Sequence, residues 1–282
     1  MKTIQDLLQK GRSLLRDGLS PSLDAKTLLA NALGVSEAFL YAHPEQRVPA
    51  ARAQKFFRMV EKRRAGMPLA YILGEREFWS LRFAVSPGVL IPRPETECLV
   101  EEVIQLASGP PLLIADIGTG AGNIAISLAR ELPKARIVAT DISSEALRTA
   151  RRNARTHGAA SSITFRKGDL FTPLRRMGLE ASCDIICSNP PYVSEDEWES
   201  LSAEIRDHEP KEALVAGRTG LKVIERLVAQ APDYLKPGGH LCVEIGASQK
   251  DAVLALFTAV WDSPVCRSDL SGLPRVVTAR LR

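Results

Sequence analysis

The start of the chain carries apolar side chains at the three- and four-residue spacing that is typical of amphipathic helices. The apolar positions of the first helix end before Gly18, and a second helix runs from Pro21 to Leu33. Ser36 can cap a third, short helix, and a fourth extends from about Pro49 to Arg64. The pattern therefore predicts a small helical bundle in the first quarter of the chain.

The spacing of apolar positions changes after this bundle. Leu81, Phe83 and Val85 alternate with other residues, as apolar side chains do in a half-buried strand. A turn signal, Ser-Pro-Gly at 86–88, precedes a short apolar run at 89–91. We therefore predict a β-hairpin that turns at 86–88.

Strand-like and helix-like segments alternate from about residue 95 onward. The predicted strands are 112–117, 136–141, 163–166, 184–188, 240–245 and 275–281. The predicted helices are 95–106, 123–132, 144–156, 221–235 and 249–260. Such alternation is typical of an α/β fold with an open, mostly parallel sheet and helices on both faces.

A glycine-rich loop follows the first strand of this α/β region. It consists of Asp116, Ile117, Gly118, Thr119, Gly120, Ala121 and Gly122. Glycines allow a tight turn and let a ligand approach the backbone closely. A dinucleotide fingerprint would place glycine at position 123, which is Asn123. The spacing instead resembles the cofactor loop of Rossmann-like methyltransferases that use S-adenosyl-L-methionine (SAM), and we predict that these seven residues bind SAM.

Acidic residues follow the next two strands. Asp141 is placed to accept hydrogen bonds from both ribose hydroxyls of a nucleoside, and Asp169 and Leu170 are placed to meet an adenine edge. Ordinary turn chemistry at a strand end is the alternative explanation for both acids. With the glycine loop, these acids make three features at the ends of three successive strands. Together they favour a cofactor site, because ligands of open α/β sheets bind at these strand ends.

The fourth strand is followed by Asn189, Pro190, Pro191 and Tyr192. The two prolines fix the backbone and remove two N–H donors, so that the loop offers mainly acceptors. The side chain of Asn189 and the carbonyl of Pro190 could orient the NH2 group of a planar nitrogen, with Tyr192 as an aromatic face. We predict that Asn189, Pro190 and Tyr192 are catalytic, that all four bind substrate and that Asn189 also contacts the cofactor. A plain proline turn is the alternative.

These motifs, with the blocks at 71–74, 90–97, 209–221, 235–239, 244–246 and 269–275, resemble the protein-(glutamine-N5) methyltransferases of peptide-chain release factors, the HemK or PrmC family. The resemblance implies a helical substrate-docking domain at 1–75 and a β-hairpin linker at 76–92. It further implies a Rossmann-like, seven-stranded SAM-dependent methyltransferase domain at 93–282.

The resemblance also implies the reaction. The methyl group of SAM would pass in line to the side-chain amide nitrogen (N5) of the glutamine in the Gly-Gly-Gln motif of a release factor, a protein of translation termination. The alternative is a DNA adenine-N6 or RNA guanine-N2 methyltransferase, since such enzymes use the same tetrapeptide on a flipped base. Against that alternative, the helical domain is small for reading a duplex, and its dense basic cluster is confined to Lys62, Arg63 and Arg64.

Composition and charge distribution refine this picture. The chain has 282 residues, of which 45% are hydrophobic, and a formal net charge of +4. Residues 1–92 contain 14 Lys and Arg against 8 Asp and Glu, a net +6, whereas residues 93–282 contain 23 against 25, a net −2. We therefore expect a docking surface for an acidic protein around Arg58, Lys62 and Arg63, rather than direct nucleic-acid binding.

Other classes of protein are disfavoured by the sequence. Its apolar runs are too short to span a membrane, and its charged first helix is unlike a signal peptide. The five cysteines are scattered without a CxxC pair, so we expect neither a disulfide framework nor a metal site. We expect a cytoplasmic monomer.

Two features leave alternatives open. Arg93 lies between two prolines and could either pin the linker or approach the cofactor. The acid-rich segment at 195–212 could be a solvated face or a lid on the substrate side.

Overall fold

The computed structural model describes residues 2–107, 109 and 112–282. They form two compact units. The first contains the chain up to Gly74 together with Ala203–His208, and the second contains Glu75–Ser202 and Glu209–Arg282.

The first unit is a helical bundle. Its helices are α1 (Ile4–Leu14), α2 (Pro21–Leu33), α3 (Glu37–Ala42), α4 (Ala50–Arg64) and α5 (Leu69–Leu73). A capping box between Thr3 and Asp6 starts α1, and Gly34 ends α2 in the left-handed conformation. A Cβ atom at Gly11 would lie 2.6 Å from the Phe56 ring, so glycine lets α1 pack closely on α4. The bundle predicted from the helical spacing is therefore present, with α5 as an additional helix.

The guanidinium of Arg63 is neutralised inside this first unit. Its Nε lies 2.6 Å from Asp24 Oδ2, and its NH1 lies 2.9 Å from Glu204 Oε2 and donates to the Met67 carbonyl at 3.0 Å. The Arg63 side chain is only 14% exposed. The expectation that Arg63 contributes to a docking surface is therefore wrong, because its charge is used within the fold.

The second unit alternates strands and helices. Its strands are β1 (Glu75–Phe78), β2 (Leu81–Ala84), β3 (Leu113–Ile117), β4 (Arg136–Asp141), β5 (Ile163–Lys167), β6 (Cys183–Ser188), β7 (Leu235–Glu244), β8 (Trp261–Ser268) and β9 (Pro274–Leu281). The helices that follow in chain order are α6 (Glu97–Leu106), α7 (Asn123–Glu131), α8 (Ser144–Thr156), α9 (Thr172–Arg176), α10 (Glu195–Ser200), α11 (Ala203–Arg206, in the first unit), α12 (Lys222–Gln230) and α13 (Lys250–Leu254). Short 3-10 turns occupy Pro94–Thr96, Lys211–Ala213 and Ala231–Asp233.

Seven of these strands form one sheet in the order β5-β4-β3-β6-β7-β9-β8. The first five run parallel, whereas β9 pairs antiparallel with both β7 and β8. Ile114 and Ala115 of the central strand β3 enter two different buried clusters, as expected for successive residues of a strand covered on both sides. The predicted α/β fold with a mostly parallel, seven-stranded sheet is confirmed.

The hairpin differs from the prediction. Strands β1 and β2 turn at Trp79 and Ser80, which have φ values of 51° and 56°, instead of at 86–88. Trp79 donates its backbone N–H to Glu97 Oε1 at 2.7 Å and its indole N–H to Glu131 Oε1 at 2.8 Å. These contacts with α6 and α7 stabilise a turn that the two residue types do not favour. Phe78 is buried in the core of the second unit.

The C-terminal elements also depart from the sequence pattern. The helix predicted at 249–260 ends at Leu254, and the chain then forms the edge strand β8, which the pattern did not indicate. Within the described residues, no helix combines the length and the apolar character that crossing a membrane would need.

Candidate active site

The polar residues singled out in the sequence meet at the carboxyl edge of the sheet. Strand β3 lies between β4 and β6, with Ile117 paired to Thr140 and Asp116 paired to Cys187. The loops that leave these three strands must therefore lie side by side. This topology, and not the spacing along the chain, brings Asp141 and Asn189 to the glycine loop.

The glycine loop depends on three left-handed residues. Gly118, Gly120 and Gly122 have φ values of 79°, 54° and 83°. A Cβ atom at Gly122 would lie 3.0 Å from the Cβ of Ala150 in α8, whereas one at Gly120 would meet no atom of the described residues within 4 Å. The loop is thus packed against the fold at its last glycine and leaves open space at its middle one.

The carboxylate of Asp141 is held in a fixed orientation beside this space. Oδ2 accepts the N–H of Gly120 at 2.9 Å, and Oδ1 accepts the N–H of Ser143 at 2.8 Å. Burial raises the pKa of Asp141, and these backbone donors oppose the shift. Each carboxylate oxygen retains a lone pair for a further donor.

Asp116 lies fully buried at the end of β3. Its Oδ2 accepts the hydroxyl proton of Thr119 at 2.6 Å, while its buried Oδ1 has no hydrogen-bond partner among the described residues. Burial raises the pKa of Asp116 to about 7. The hydrogen bond from Thr119 to Asp116 fixes the Thr119 side chain within the loop.

The acid that follows β5 forms an ion pair with a residue that the sequence pattern did not indicate. The exposed carboxylate of Asp169 is paired with the guanidinium of Arg226 from α12. Leu170 has a φ of 44°, and its carbonyl accepts the hydroxyl of Thr140 at 3.4 Å. The predicted adenine contacts of Asp169 and Leu170 stay predictions, and any such contact of Asp169 competes with Arg226.

The loop at 189–192 is supported by side chains from distant elements. Asn189 Nδ2 donates to Thr96 Oγ1 at 3.0 Å, and Gln249 Nε2 donates to the carbonyl of Tyr192 at 2.9 Å. Gly220 lies so close that a Cβ atom there would fall 2.3 Å from the same carbonyl oxygen. The loop is therefore anchored at both ends.

Two adjoining pockets open at this edge. One is lined by Asn189, Pro190, Pro191, Tyr192 and Leu214, among others, and the second by the glycine loop from Gly118 to Ala121. Leu90, Arg93 and Asn189 line both pockets. Asn189 thus lies where a group in one pocket would meet a group in the other.

Arg93 is fixed by a buried acid. Its NH2 lies 2.6 Å from Oε1 of Glu209, whose Oε2 accepts the backbone N–H of Ile91 at 3.2 Å. Of the two roles considered for Arg93, the structure therefore shows the pinning one, in a residue that also lines both pockets. Glu209 is 6% exposed, so a solvated face is the wrong description of this part of the acidic segment.

Glu244 at the end of β7 is a site residue that sequence reasoning missed. It is fully buried, and the hydroxyl of Tyr192 donates to its Oε1 at 3.4 Å. Burial raises the pKa of Glu244 to about 7, and the positive charge of Arg275 and the Tyr192 hydroxyl oppose the shift. Its other oxygen, Oε2, has no hydrogen-bond partner among the described residues. Burial beside this carboxylate also raises the pKa of Tyr192. The one signal for Glu244 in the sequence is an acid that ends an apolar strand.

The described residues contain no group of three or more His, Cys, Asp or Glu side chains suited to a metal ion.

Comparison with known proteins agrees with this architecture. Residues 6–74 match the family described as PrmC N-terminal domain, and residues 112–261 match a methyltransferase domain. A solved methyltransferase from Pyrococcus furiosus shares the fold, with a TM-score of 0.51 and 16% identity over 70% of this chain and 87% of that one. The sheet, the glycine loop and the acid after the second strand define a SAM-dependent methyltransferase.

Similar full-length proteins narrow this class. The release factor glutamine methyltransferase of Nitratidesulfovibrio vulgaris is 41% identical, over 99% of this chain and 95% of its own length. The protein of the same name from Moorella thermoacetica is 42% identical, over 91% and 89%. The chain belongs to the family of release factor glutamine methyltransferases.

Proposed function

We propose that this chain transfers the methyl group of SAM to the side-chain amide nitrogen (N5) of the glutamine in the Gly-Gly-Gln motif of peptide-chain release factors. The observation that carries the proposal is the position of Asn189, which lines both the pocket of the glycine loop and the pocket of the 189–192 loop. The names of the similar proteins indicate the substrate, a release factor that is methylated at a glutamine.

The residues at the pocket of the glycine loop fit SAM. The cofactor supplies, when bound, a methyl group on a positively charged sulfur. We assign its binding to the loop from Asp116 to Gly122 and to Asp141, Asp169, Leu170 and Asn189. The left-handed glycines leave room for a ligand at Gly120, and the free lone pairs of Asp141 suit two ribose hydroxyls.

The 189–192 loop suits the acceptor amide. An amide nitrogen is a poor nucleophile because its lone pair is delocalised into the carbonyl group. Asn189 already donates Nδ2 to Thr96, which leaves its Oδ1 to accept from the substrate NH2 together with the carbonyl of Pro190. Holding the nitrogen in line with the methyl group removes much of the entropic barrier. No strong base is required, because the proton leaves after transfer.

The assay that tests this function uses methyl-labelled SAM and three substrates. These are a release factor, the same factor with its Gly-Gly-Gln glutamine replaced, and a mixture of DNA and RNA. We expect label on the first substrate alone. Label on nucleic acid without label on the factor would favour the adenine or guanine methyltransferase instead.

The helical domain at 1–75 is proposed to dock the protein substrate, and the chain to act as a cytoplasmic monomer without direct contact with nucleic acid. The net charge of +6 over residues 1–92 supports attraction of an acidic protein surface. Arg58 and Lys62 are exposed on α4, whereas Arg63 is used inside the bundle.

We predict that reversing the charges of Arg58 and Lys62 to glutamate lowers kcat/KM on a full-length release factor by up to about 10-fold at low salt, through slower association. The rate on a short Gly-Gly-Gln peptide should not change. Lys134→Glu, which reverses an exposed charge in the second unit, serves as the matched control. An unchanged rate on the full-length factor would contradict the docking role.

A further inference from the structure

We infer that Arg93 is a substrate-binding residue, which donates a hydrogen bond to the side-chain carbonyl oxygen of the substrate glutamine and thereby selects an amide over an amine. The inference deepens the proposed function and rests on it, because it assumes that Asn189 Oδ1 and the Pro190 carbonyl accept the glutamine NH2 group. Glu209 is the positioning residue that holds the Arg93 guanidinium.

The acceptors of the 189–192 loop match only one end of an amide. Asn189 Oδ1 and the Pro190 carbonyl suit the two N–H groups of the substrate NH2. The carbonyl oxygen of the same amide needs a donor once it leaves water. Acceptors alone would hold the ammonium group of a lysine equally well. A donor in the pocket is therefore what would distinguish glutamine from lysine.

Most of the backbone donors that line the pocket of the 189–192 loop are missing or already used. Pro190 and Pro191 have no N–H group. The N–H of Val193 donates to the Leu214 carbonyl at 2.8 Å, and the N–H groups of Ala213 and Leu214 each donate at 3.0 Å to a backbone carbonyl three residues earlier in the chain. We therefore expect the donor for the substrate oxygen to be a side chain.

Among the described residues, the side chains with N–H or O–H donors that line this pocket are those of Arg93, Asn189 and Tyr192. Asn189 Nδ2 and the Tyr192 hydroxyl donate to buried side chains of the fold, at 3.0 and 3.4 Å. One nitrogen of the Arg93 guanidinium lies 2.6 Å from Glu209 Oε1. The other guanidinium nitrogens carry further N–H donors, and Arg93 is therefore the side chain best supplied to serve the substrate oxygen.

A buried acid fixes the position of Arg93. Glu209 binds the guanidinium through Oε1, and its Oε2 accepts the backbone N–H of Ile91 at 3.2 Å. The Arg93 side chain is 29% exposed and lines both pockets, so its remaining donors are accessible to a ligand. A planar guanidinium that is held at one nitrogen is suited to a directional hydrogen bond from another.

The charge of Arg93 adds selectivity. An ammonium group that entered this pocket would meet a like charge and would offer it no acceptor. A neutral amide meets no such repulsion, and it presents an oxygen to the guanidinium. The paired Glu209 carboxylate keeps the net charge of the two side chains at zero, so that the neutral substrate enters without an excess of charge beside it.

The cofactor is the other ligand within the range of Arg93, because Arg93 also lines the pocket of the glycine loop. That pocket has donors of its own. Asn123 and Ile124 line it and begin α7, where the first N–H groups have no intrahelical acceptor. The carboxylate of SAM can be held there without Arg93, and we therefore assign Arg93 to the glutamine.

The first test replaces Arg93 by methionine, which is of similar length and has no donors. We expect Arg93→Met to lower kcat/KM on a release factor by about 10- to 100-fold, the range for the loss of a hydrogen bond to a charged group. The Kd for SAM, measured by calorimetry, should stay within about twofold. Arg82→Met is the matched control, since Arg82 forms an exposed ion pair with Glu75 and lines neither pocket.

A double variant keeps the test sound if Arg93→Met destabilises the fold by leaving Glu209 without its counter-ion. Arg93→Met combined with Glu209→Gln removes both charges, and glutamine retains an oxygen for the N–H of Ile91. We expect this double variant to show the same loss of kcat/KM. Wild-type kcat/KM in a folded Arg93→Met enzyme or in the double variant would overturn the inference.

The second test measures whether Arg93 and the glutamine act on each other. A release factor with its natural Gly-Gly-Gln glutamine and one with methionine in its place are titrated into the wild type and into Arg93→Met. S-adenosyl-L-homocysteine is present to prevent transfer. Direct contact predicts that the preference for glutamine, the ratio of the two Kd values, falls by about 10-fold in Arg93→Met. An unchanged ratio would overturn the inference.

A release factor with lysine in place of the same glutamine tests the selection of an amide. Arg93→Met should bind it more tightly than the wild type does, because the like charge is gone. Equal or weaker binding would contradict the selective role. A loss confined to the affinity for SAM would assign Arg93 to the cofactor and overturn the inference while leaving the proposed function intact. A wild-type enzyme that labels no release factor would instead refute the proposed function.

Discussion

Replacing Asn189 by alanine is expected to lower kcat by about 10²- to 10³-fold, the loss seen when a preorganised hydrogen-bonding group is removed from a reaction centre. Asn189 lines both pockets, and its Oδ1 is the side-chain acceptor left for the substrate amide once Nδ2 is bound to Thr96. The glutamine nitrogen would then lose the group that directs its lone pair at the methyl carbon. Single-turnover assays with a release factor measure the effect.

SAM should still bind to this variant, because the glycine loop and Asp141, which we assign to the cofactor together with Asn189, are unchanged. Calorimetry with SAM and a thermal melt are the controls. A kcat within about twofold of the wild type would show that Asn189 does not position the substrate. A loss of SAM affinity as large as the loss of kcat would make it a cofactor residue only.

Gly220→Ala is expected to lower kcat by about 10²-fold, because a displacement of the order of 1 Å in an active-site loop costs that much. Gly220 has a φ of 72°, and a Cβ atom there would lie 2.3 Å from the carbonyl oxygen of Tyr192, 2.8 Å from Gln249 Nε2 and 3.1 Å from the N–H nitrogen of Ser194. The 189–192 loop must shift to admit the methyl group. Steady-state assays with a release factor measure the change.

Gly158→Ala is the matched control. Gly158 has a φ of 69°, and a Cβ atom there would lie more than 4 Å from every atom in the part of the chain that the structure describes. Alanine at this position should cost about 1–2 kcal/mol of the free energy of unfolding through backbone strain alone, with kcat unchanged. Equal losses of kcat in the two variants would attribute the effect of Gly220→Ala to strain and not to the crowded carbonyl.

The strands that build the site were predictable because they are buried on both faces. Strands β3, β4 and β6 form short, nearly continuous apolar runs, and polar residues mark where each one ends. Edge strand β8 has a buried residue only at its start, Trp261, and is otherwise exposed or half-buried with Pro264 in its interior, so its pattern has no such contrast. The hairpin turn at Trp79 and Ser80 was missed because its support comes from α6 and α7, far along the chain.

The same distinction decides which features of the site could be predicted from the sequence. Features that are local in sequence, such as the glycine loop and the two prolines after Asn189, could be located at the ends of their strands from the sequence, and their chemistry stays a prediction. Features that depend on pairing over long distances could not. Glu209 and Arg93 are 116 residues apart, and Thr96 and Asn189 are 93 apart. No spacing rule links such pairs, so only the fold shows that Glu209 is a buried counter-ion.

The insertion of β9 between β7 and β8 has a consequence for the time at which activity arises during synthesis. Strand β9 pairs with β7 from His240 to Glu244. Arg275 near the start of β9 donates to the carbonyl of Ile245 at 3.3 Å, beside Glu244. Chains emerge from the ribosome in order, and domains generally fold as units. The reaction centre at Asn189 therefore cannot be complete until residues more than 80 positions downstream have emerged, and a nascent chain that stops before β9 is expected to be inactive.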